Sequence, residues 1–127
     1  MRALTVDDSS GARLHGAQAL SELGFQVFAA SSGPEALALL ERIGPVDVVL
    51  LDWEMPDMTG LEVLKRLRAD PRYRDMIVVM ATSLADPDHL SQALEAGANE
   101  YVMKPYLRDD VAEKLRMLGW AFAGDPA

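Results

Sequence analysis

The chain has 127 residues, half of them hydrophobic and a quarter charged, which suits one domain with a substantial core. It contains no cysteine, which excludes disulfides and thiolate metal sites, and it has no apolar run of membrane-spanning length and no signal-peptide pattern at its start; the cytoplasm is the expected location. Twelve basic against twenty acidic residues leave a net charge of −8, which repels nucleic acid and anionic membranes and suits cationic partners or metal ions.

Apolar runs alternate with helical patterns along the chain. Ala3–Val6 predicts the first strand, followed by a helix striped with Leu14, Ala17, Leu20 and Leu23 that stops at Gly24. Phe25–Ala30 is the second strand; Ala36, Leu40 and Ile43 stripe the second helix, which stops at Gly44-Pro45. The third run, Val46–Leu51, is interrupted only by Asp47, and its helix carries Leu61, Leu64 and Leu67 before Asp70-Pro71. Met76–Ala81 precedes a helix with Leu90 and Leu94 that ends at Gly97, and Tyr101–Met103 precedes a last helix with Val111, Leu115 and Leu118. The runs are near-continuous rather than alternating in polarity, as in strands covered on both faces. The pattern is (βα) five times: an α/β fold with a five-stranded parallel sheet and helices on both faces. One domain is expected over residues 1–118, with a tail over 119–127.

In open parallel sheets ligand sites form beyond the carboxyl ends of the strands. Asp7 and Asp8 follow the first strand, Asp52 ends the third with Glu54 and Asp57 behind it, Thr82 and Ser83 follow the fourth, and Lys104 and Pro105 follow the fifth. Ser31-Ser32-Gly33, after the second, carries no comparable chemistry. A carboxylate at the edge of an apolar core is costly unless positive charge meets it. Hard oxygen ligands without His or Cys select Mg²⁺ or Mn²⁺. A lysine and a threonine hydroxyl would grip the remaining oxygens of a phosphoryl group, making a phosphoryl-transfer site with Asp52 as nucleophile.

Each residue also has a purely structural reading. Asp7 and Asp8, with Ser9 or Ser10, could cap the first helix. Asp57 reads as a loop acid ahead of Thr59, a candidate cap of the third helix. Thr82 could be a strand-end hydroxyl and Tyr101 a half-buried aromatic, while His15 and His89 read as surface positions. The functional reading rests on coincidence at the ends of four of five strands.

The segments Val6-Asp7-Asp8, Leu50–Gly60 (LLDWEMPDMTG), Met80–Ser83 (MATS) and Glu100–Tyr106 (EYVMKPY) resemble, in order and placement, the motifs of bacterial two-component response-regulator receiver domains. The resemblance covers Arg2 to Leu118 and is strongest to the chemotaxis members of that family. It implies a flavodoxin-like strand order 2-1-3-4-5 and a cis Lys104–Pro105 bond. It implies that Asp52 accepts phosphate from a sensor histidine kinase. Asp8, Asp52 and the backbone carbonyl of Glu54 would hold Mg²⁺, Asp7 would act largely through water, and Lys104 would pair with the phosphoryl oxygens. Thr82 would move to the phosphoryl group and Tyr101 would swing inward, changing the surface of the fourth helix, fifth strand and fifth helix. Glu54 and Leu84 would overhang the phosphoryl group and set its lifetime; the Glu54 carboxylate would serve as base to water, or pair with Lys104 or another cation across the water's path.

The implied protein is a monomeric signalling switch, an enzyme only toward itself, with a kinase, a target such as the flagellar motor switch and a possible phosphatase as partners, and with neither nucleic acid nor membrane. A phosphate sink or relay is the alternative within the class. A small Mg²⁺-dependent phosphatase with an aspartyl-phosphate intermediate fits less well: its general acid is an Asp two places after the nucleophile, here Glu54, and the chain is short for a substrate-covering cap. A receiver reduced to protein binding fits least, since every required side chain is present. No output domain follows the fifth helix, so the chain reads as a freestanding messenger or a receiver cut from a longer protein; Met1-Arg2-Ala3 leading straight into a strand favours a native start. Trp120 and Phe122 either pack against the fifth helix and its neighbours or add to a partner surface.

Overall fold

The five apolar runs are strands of one sheet in the computed structural model, which describes residues 1–84 and 86–125. In chain order the elements are β1 (Arg2–Val6), α1 (Ser10–Glu22), β2 (Gln26–Ala30), α2 (Gly33–Ile43), β3 (Val48–Asp52), α3 (Gly60–Ala69), a 3₁₀ turn (Pro71–Tyr73), β4 (Ile77–Thr82), α4 (Pro87–Glu95), β5 (Glu100–Met103) and α5 (Arg108–Met117). All pairings are parallel, in the order β2-β1-β3-β4-β5. Asp52 ends β3 as expected, and Thr82 is the last residue of β4 and not the first beyond it.

Side chains alternate across a pleated strand, so a strand covered on both faces feeds two cores. Val49 and Leu51 of β3 enter one core with Ala36 and Leu40 of α2, Val63, Leu64 and Leu67 of α3 and Ala93 of α4. Val48 and Leu50 enter the other with Leu20 of α1 and Val111 and Leu115 of α5. No helix among the described residues is long and apolar enough to cross a membrane.

The helix starts settle the capping question. Ser9 is the N-cap of α1 and accepts from the Ala12 N–H at 3.4 Å, so Asp8 is not needed there. Thr59 caps α3, accepting from the Glu62 N–H at 3.2 Å, and Asp57 is a loop residue with φ 68°, a conformation that Asp tolerates better than most. Gly24, Gly44 and Gly97 follow their helices with positive φ, as C-terminal stops.

Three expected core leucines are turned out. Leu14 is 60% exposed, Leu94 49% and Leu118 36%. In α1 the buried residues are instead Gly16, Ala19 and Leu20. A Cβ on Gly16 would stand 2.7 Å from the Thr5 Oγ1 and 2.9 Å from the Tyr106 hydroxyl, so the helix meets the sheet where only glycine fits. In α4 only Ala93 is buried. In the tail, Trp120 and Phe122 pack against the second core, and the Trp120 ring lies 5.3 Å from that of Phe25; residues 126 and 127 lie outside the described residues.

Gly60 opens α3 directly against the end of β3. Its N–H donates to the Trp53 carbonyl at 3.0 Å, and a Cβ there would collide with the backbone carbonyl of Asp52. The listener in that collision is backbone, which cannot rotate away. Gly60→Ala is therefore expected to lower stability by roughly 1–3 kcal/mol, as overpacking does, read as a lower urea midpoint with unchanged slope. An unchanged midpoint would show that α3 is free to shift.

Candidate functional site

Parallel register brings the strand ends level, and the four strand ends that carry chemistry meet there. Asp52 pairs with Ala81 across β3 and β4, and Thr82 with Met103 across β4 and β5. Asp7, just past β1, donates its N–H to the Ala30 carbonyl at 3.1 Å. Asp7, Asp8 and Asp52 each offer a carboxylate oxygen, and these lie within 4.8 Å of one another. Asp7 and Asp52 are buried; Asp8 is exposed. Three oxygen donors of this hardness suit a divalent metal ion.

Lys104 supplies the positive charge that the burial of Asp52 calls for. Its Nζ donates to Asp52 Oδ1 at 2.7 Å and to Asp7 Oδ2 at 3.0 Å. Its backbone N–H donates to the Thr82 carbonyl at 2.8 Å, and the following bond to Pro105 is cis, as the family resemblance implies. The other Asp7 oxygen accepts the Ser9 N–H at 3.0 Å.

Burial nevertheless wins at Asp52, whose carboxyl is pushed up to about 7. Desolvation is the largest cause; the Lys104 hydrogen bond opposes it, and the charges of Asp7 and Glu54 add to it. For Lys104 burial acts to lower the ammonium, but the carboxylate hydrogen bonds from Asp52 and Asp7 outweigh it and hold it above its ordinary value. One ammonium does not fully compensate the buried acids.

The wall of the site is the joint between the β3–α3 and β4–α4 loops. The Thr82 hydroxyl, fully buried, donates to Glu54 Oε1 at 2.9 Å and accepts the Leu84 N–H at 3.0 Å. Glu54 thus does not pair with Lys104, which is engaged by Asp7 and Asp52. Its backbone follows Trp53, whose N–H donates to the Ala81 carbonyl at 3.0 Å and whose ring is buried. Leu84 stands at the mouth, 47% exposed.

Tyr101 on β5 is half-buried against the first core, with the Lys114 Nζ 4.9 Å from its ring centroid. His15 is exposed, as expected, yet its Nε2 lies 2.7 Å from the Tyr106 carbonyl. His89 is not a surface position: it is half-buried on α4, with its ring centroid 3.5 Å from that of Trp53. Its Nε2 is buried and without a hydrogen-bond partner among the described residues. Sequence reading missed the Glu54–Thr82 and Trp53–His89 contacts because each joins the β3–α3 loop to a residue far along the chain, at the end of β4 or on α4; the adjacency of β3 and β4 was the available signal.

Residues 3–116 match the family described as the response regulator receiver domain. A Campylobacter jejuni protein described as a chemotaxis protein CheY homolog is 40% identical over 116 residues, spanning 91% of this chain and 89% of the relative. The solved structure of Vibrio cholerae chemotaxis protein CheY4 superposes with a TM-score of 0.85 at 30% identity, covering 91% of this chain and 96% of that one. The bacteriophytochrome response regulator RtBRR covers 99% of this chain and 83% of its own, with a TM-score of 0.83 and 30% identity.

The raised Asp52 carboxyl makes a stability prediction. Between about pH 4, where the unfolded carboxyl titrates, and about 7, the folded chain binds more protons than the unfolded one, so this group's contribution falls as pH rises through that window. In metal-free buffer Asp52→Asn removes the effect. Its stability lead over the native chain is expected to be small near pH 4.5 and to grow to roughly 1–3 kcal/mol above pH 7, measured by urea denaturation at a series of pH values. A lead independent of pH would show that Lys104 alone neutralises the carboxylate.

Proposed function

Because this chain belongs to the response regulator receiver family, we propose that it is a phosphorylation switch in which Asp52 accepts a phosphoryl group from the phosphohistidine of a sensor kinase. The observation that carries this reading is the placement of Asp52: buried at a strand end, held through one oxygen by Lys104, and level with Asp7 and Asp8. The second Asp52 oxygen attacks phosphorus, the phosphorus–nitrogen bond breaks, and its electron pair returns to the donor imidazole. The product is an acyl phosphate on Asp52. Lys104 stays beside the oxygens where charge accumulates, which is where a preorganised cation helps most.

The donor set is all oxygen: carboxylates of Asp7, Asp8 and Asp52 and the backbone carbonyl of Glu54. That chemistry fits Mg²⁺, with Mn²⁺ as a substitute. When bound, the ion supplies neutralisation of the phosphoryl oxygens. The donor protein has room beside the site, where Ala12, His15, Ser83, Lys104, Pro105 and Tyr106 line a mostly apolar pocket of about 500 Å³. A larger cavity of about 610 Å³ lies between α2 and α3, includes Glu41 and Tyr73, and touches none of the site residues.

The output runs through Thr82 and Tyr101. Thr82 turns its hydroxyl to the new phosphoryl group, Tyr101 follows, and the α4–β5–α5 face changes. Glu54 and Leu84 at the mouth govern how readily water reaches the phosphorus. The chemotaxis names of the relatives support a motor-control target.

Two experiments test the reading. Acetyl phosphate with Mg²⁺ is expected to label the native chain once and to leave Asp52→Asn unlabelled, by intact mass; stoichiometric labelling of Asp52→Asn at another residue would overturn the assignment. Mg²⁺ is expected to change Trp53 fluorescence with millimolar-order affinity, about 4 kcal/mol, over a constant background from Trp120. Asp8→Ala should remove most of that response, and full amplitude in the variant would place the metal elsewhere.

A further inference from the structure

We infer that Glu54 is a positioning residue that parks Thr82 in the resting state, so that its carboxylate and an Asp52-bound phosphoryl group compete for one proton. The inference rests on the phosphorylation reading above and adds an opposing partner to the switch.

The observation is that the single proton of the Thr82 hydroxyl is already committed. It donates to Glu54 Oε1 at 2.9 Å and accepts the Leu84 N–H at 3.0 Å. A hydroxyl has one proton to give. A phosphoryl group, like a carboxylate, only accepts. Thr82 therefore cannot serve Glu54 and the phosphoryl group at once, and reaching the second means letting go of the first.

Geometry makes this contact a tether between moving parts. Glu54 stands two residues beyond Asp52 in the β3–α3 loop, and Thr82 ends β4 just before α4. Trp53, its neighbour, meets His89 on α4 with ring centroids 3.5 Å apart. The two residues that follow Asp52 thus hold both ends of the β4–α4 segment. Thr82 is fully buried, so its donor is costly to leave unpaired. Glu54 is exposed, and water can replace Thr82 as its partner. The asymmetry sets the direction of release: an added anion on Asp52 offers Thr82 a second acceptor while repelling Glu54 toward solvent.

A charge-assisted hydrogen bond must then be lost before the switch closes. Removing the carboxylate should favour the active arrangement, but it also removes a negative charge near the anion. The two effects separate in a cycle with Thr82→Val, which keeps the shape of the side chain and deletes its hydroxyl.

The probe is beryllofluoride in saturating Mg²⁺, followed by Trp53 fluorescence and by the amide resonance of Leu84. Glu54→Ala is expected to lower the half-saturating beryllofluoride concentration by roughly three- to tenfold. It should also shift the Leu84 amide, before any beryllofluoride, toward its position in the bound state. Glu54→Gln, which keeps an acceptor oxygen without the charge, should fall between. In the Thr82→Val background the gain from Glu54→Ala should shrink to the gain from Glu54→Gln. If Glu54→Ala gains as much without the hydroxyl as with it, the effect is charge alone and the tether is overturned, while the phosphoacceptor reading stands. If Asp52→Asn responds to beryllofluoride as the native chain does, the phosphoacceptor reading falls and takes the tether with it.

Discussion

A carboxylate buried at the end of β3 and met by one ammonium is the constraint around which the rest of this molecule is arranged. Asp52 is 2% exposed. Its counter-charge comes from Lys104 at the end of β5, two places away in the sheet. Neighbouring strands lie about 4.8 Å apart, so the span is about 10 Å, which a strand-end lysine covers only with its stem extended. The intervening strand, β4, must then end in something small beneath that stem; it ends in Ala81 and Thr82. The same ammonium also holds Asp7 from β1. Three strands are thus tied at one point, and a shift in any one of them changes the environment of Asp52.

The two sides of that point are anchored unequally. α3 buries Val63, Leu64 and Leu67 and starts with Gly60 hard against the Asp52 backbone. α4 buries only Ala93 and leaves Leu94 half in water. Burial of an aliphatic side chain is worth about 1.5–3 kcal/mol, so α3 is held by several such contributions and α4 by little more than an alanine. A coupling energy of the size usual for switches, about 1–3 kcal/mol, can displace the second and not the first. In the proposed switch the floor of the site would stay fixed while the wall that carries Thr82 and His89 moves.

The parts of this arrangement that depend on chemistry at strand ends were legible in the sequence. Asp7, Asp8, Asp52, Thr82 and Lys104 each follow or close an apolar run, and a parallel sheet collects such positions on one edge. The strand order was not legible from periodicity; it came with the family resemblance. Periodicity also misplaced Leu14, because the true contact in α1 is Gly16, whose value lies in having no side chain and which no hydrophobic pattern can register. Leu94 was misplaced for a related reason: α4 is lightly anchored, so its apolar stripe has no core to satisfy. His89 and the Glu54–Thr82 bond depended on how two loops fold over one another, which is a property of their backbone paths and not of residue spacing.

Charge explains why the movable wall is held by an acid at all. Three carboxylates and one ammonium leave the centre of the site about two charges negative when Asp52 is ionised. Burial first, and the charges of Asp7 and Glu54 after it, keep the Asp52 carboxyl raised, and the surplus would draw a divalent cation, which restores near-neutrality. A phosphoryl group then adds negative charge to a site already balanced. Asp7 cannot yield, since both its oxygens are committed and it is buried. Asp8 is already committed to the cation in this scheme. Glu54 is the acid with an exposed side chain and a bond, to Thr82, that has an alternative acceptor. The excess charge is therefore relieved where it costs least, by releasing Glu54, and the Thr82 hydroxyl freed from it can donate to the phosphoryl group. In such a site the electrostatic balance and the switch are not separate devices: the residue that gives way to the new charge is the residue that was holding the switch.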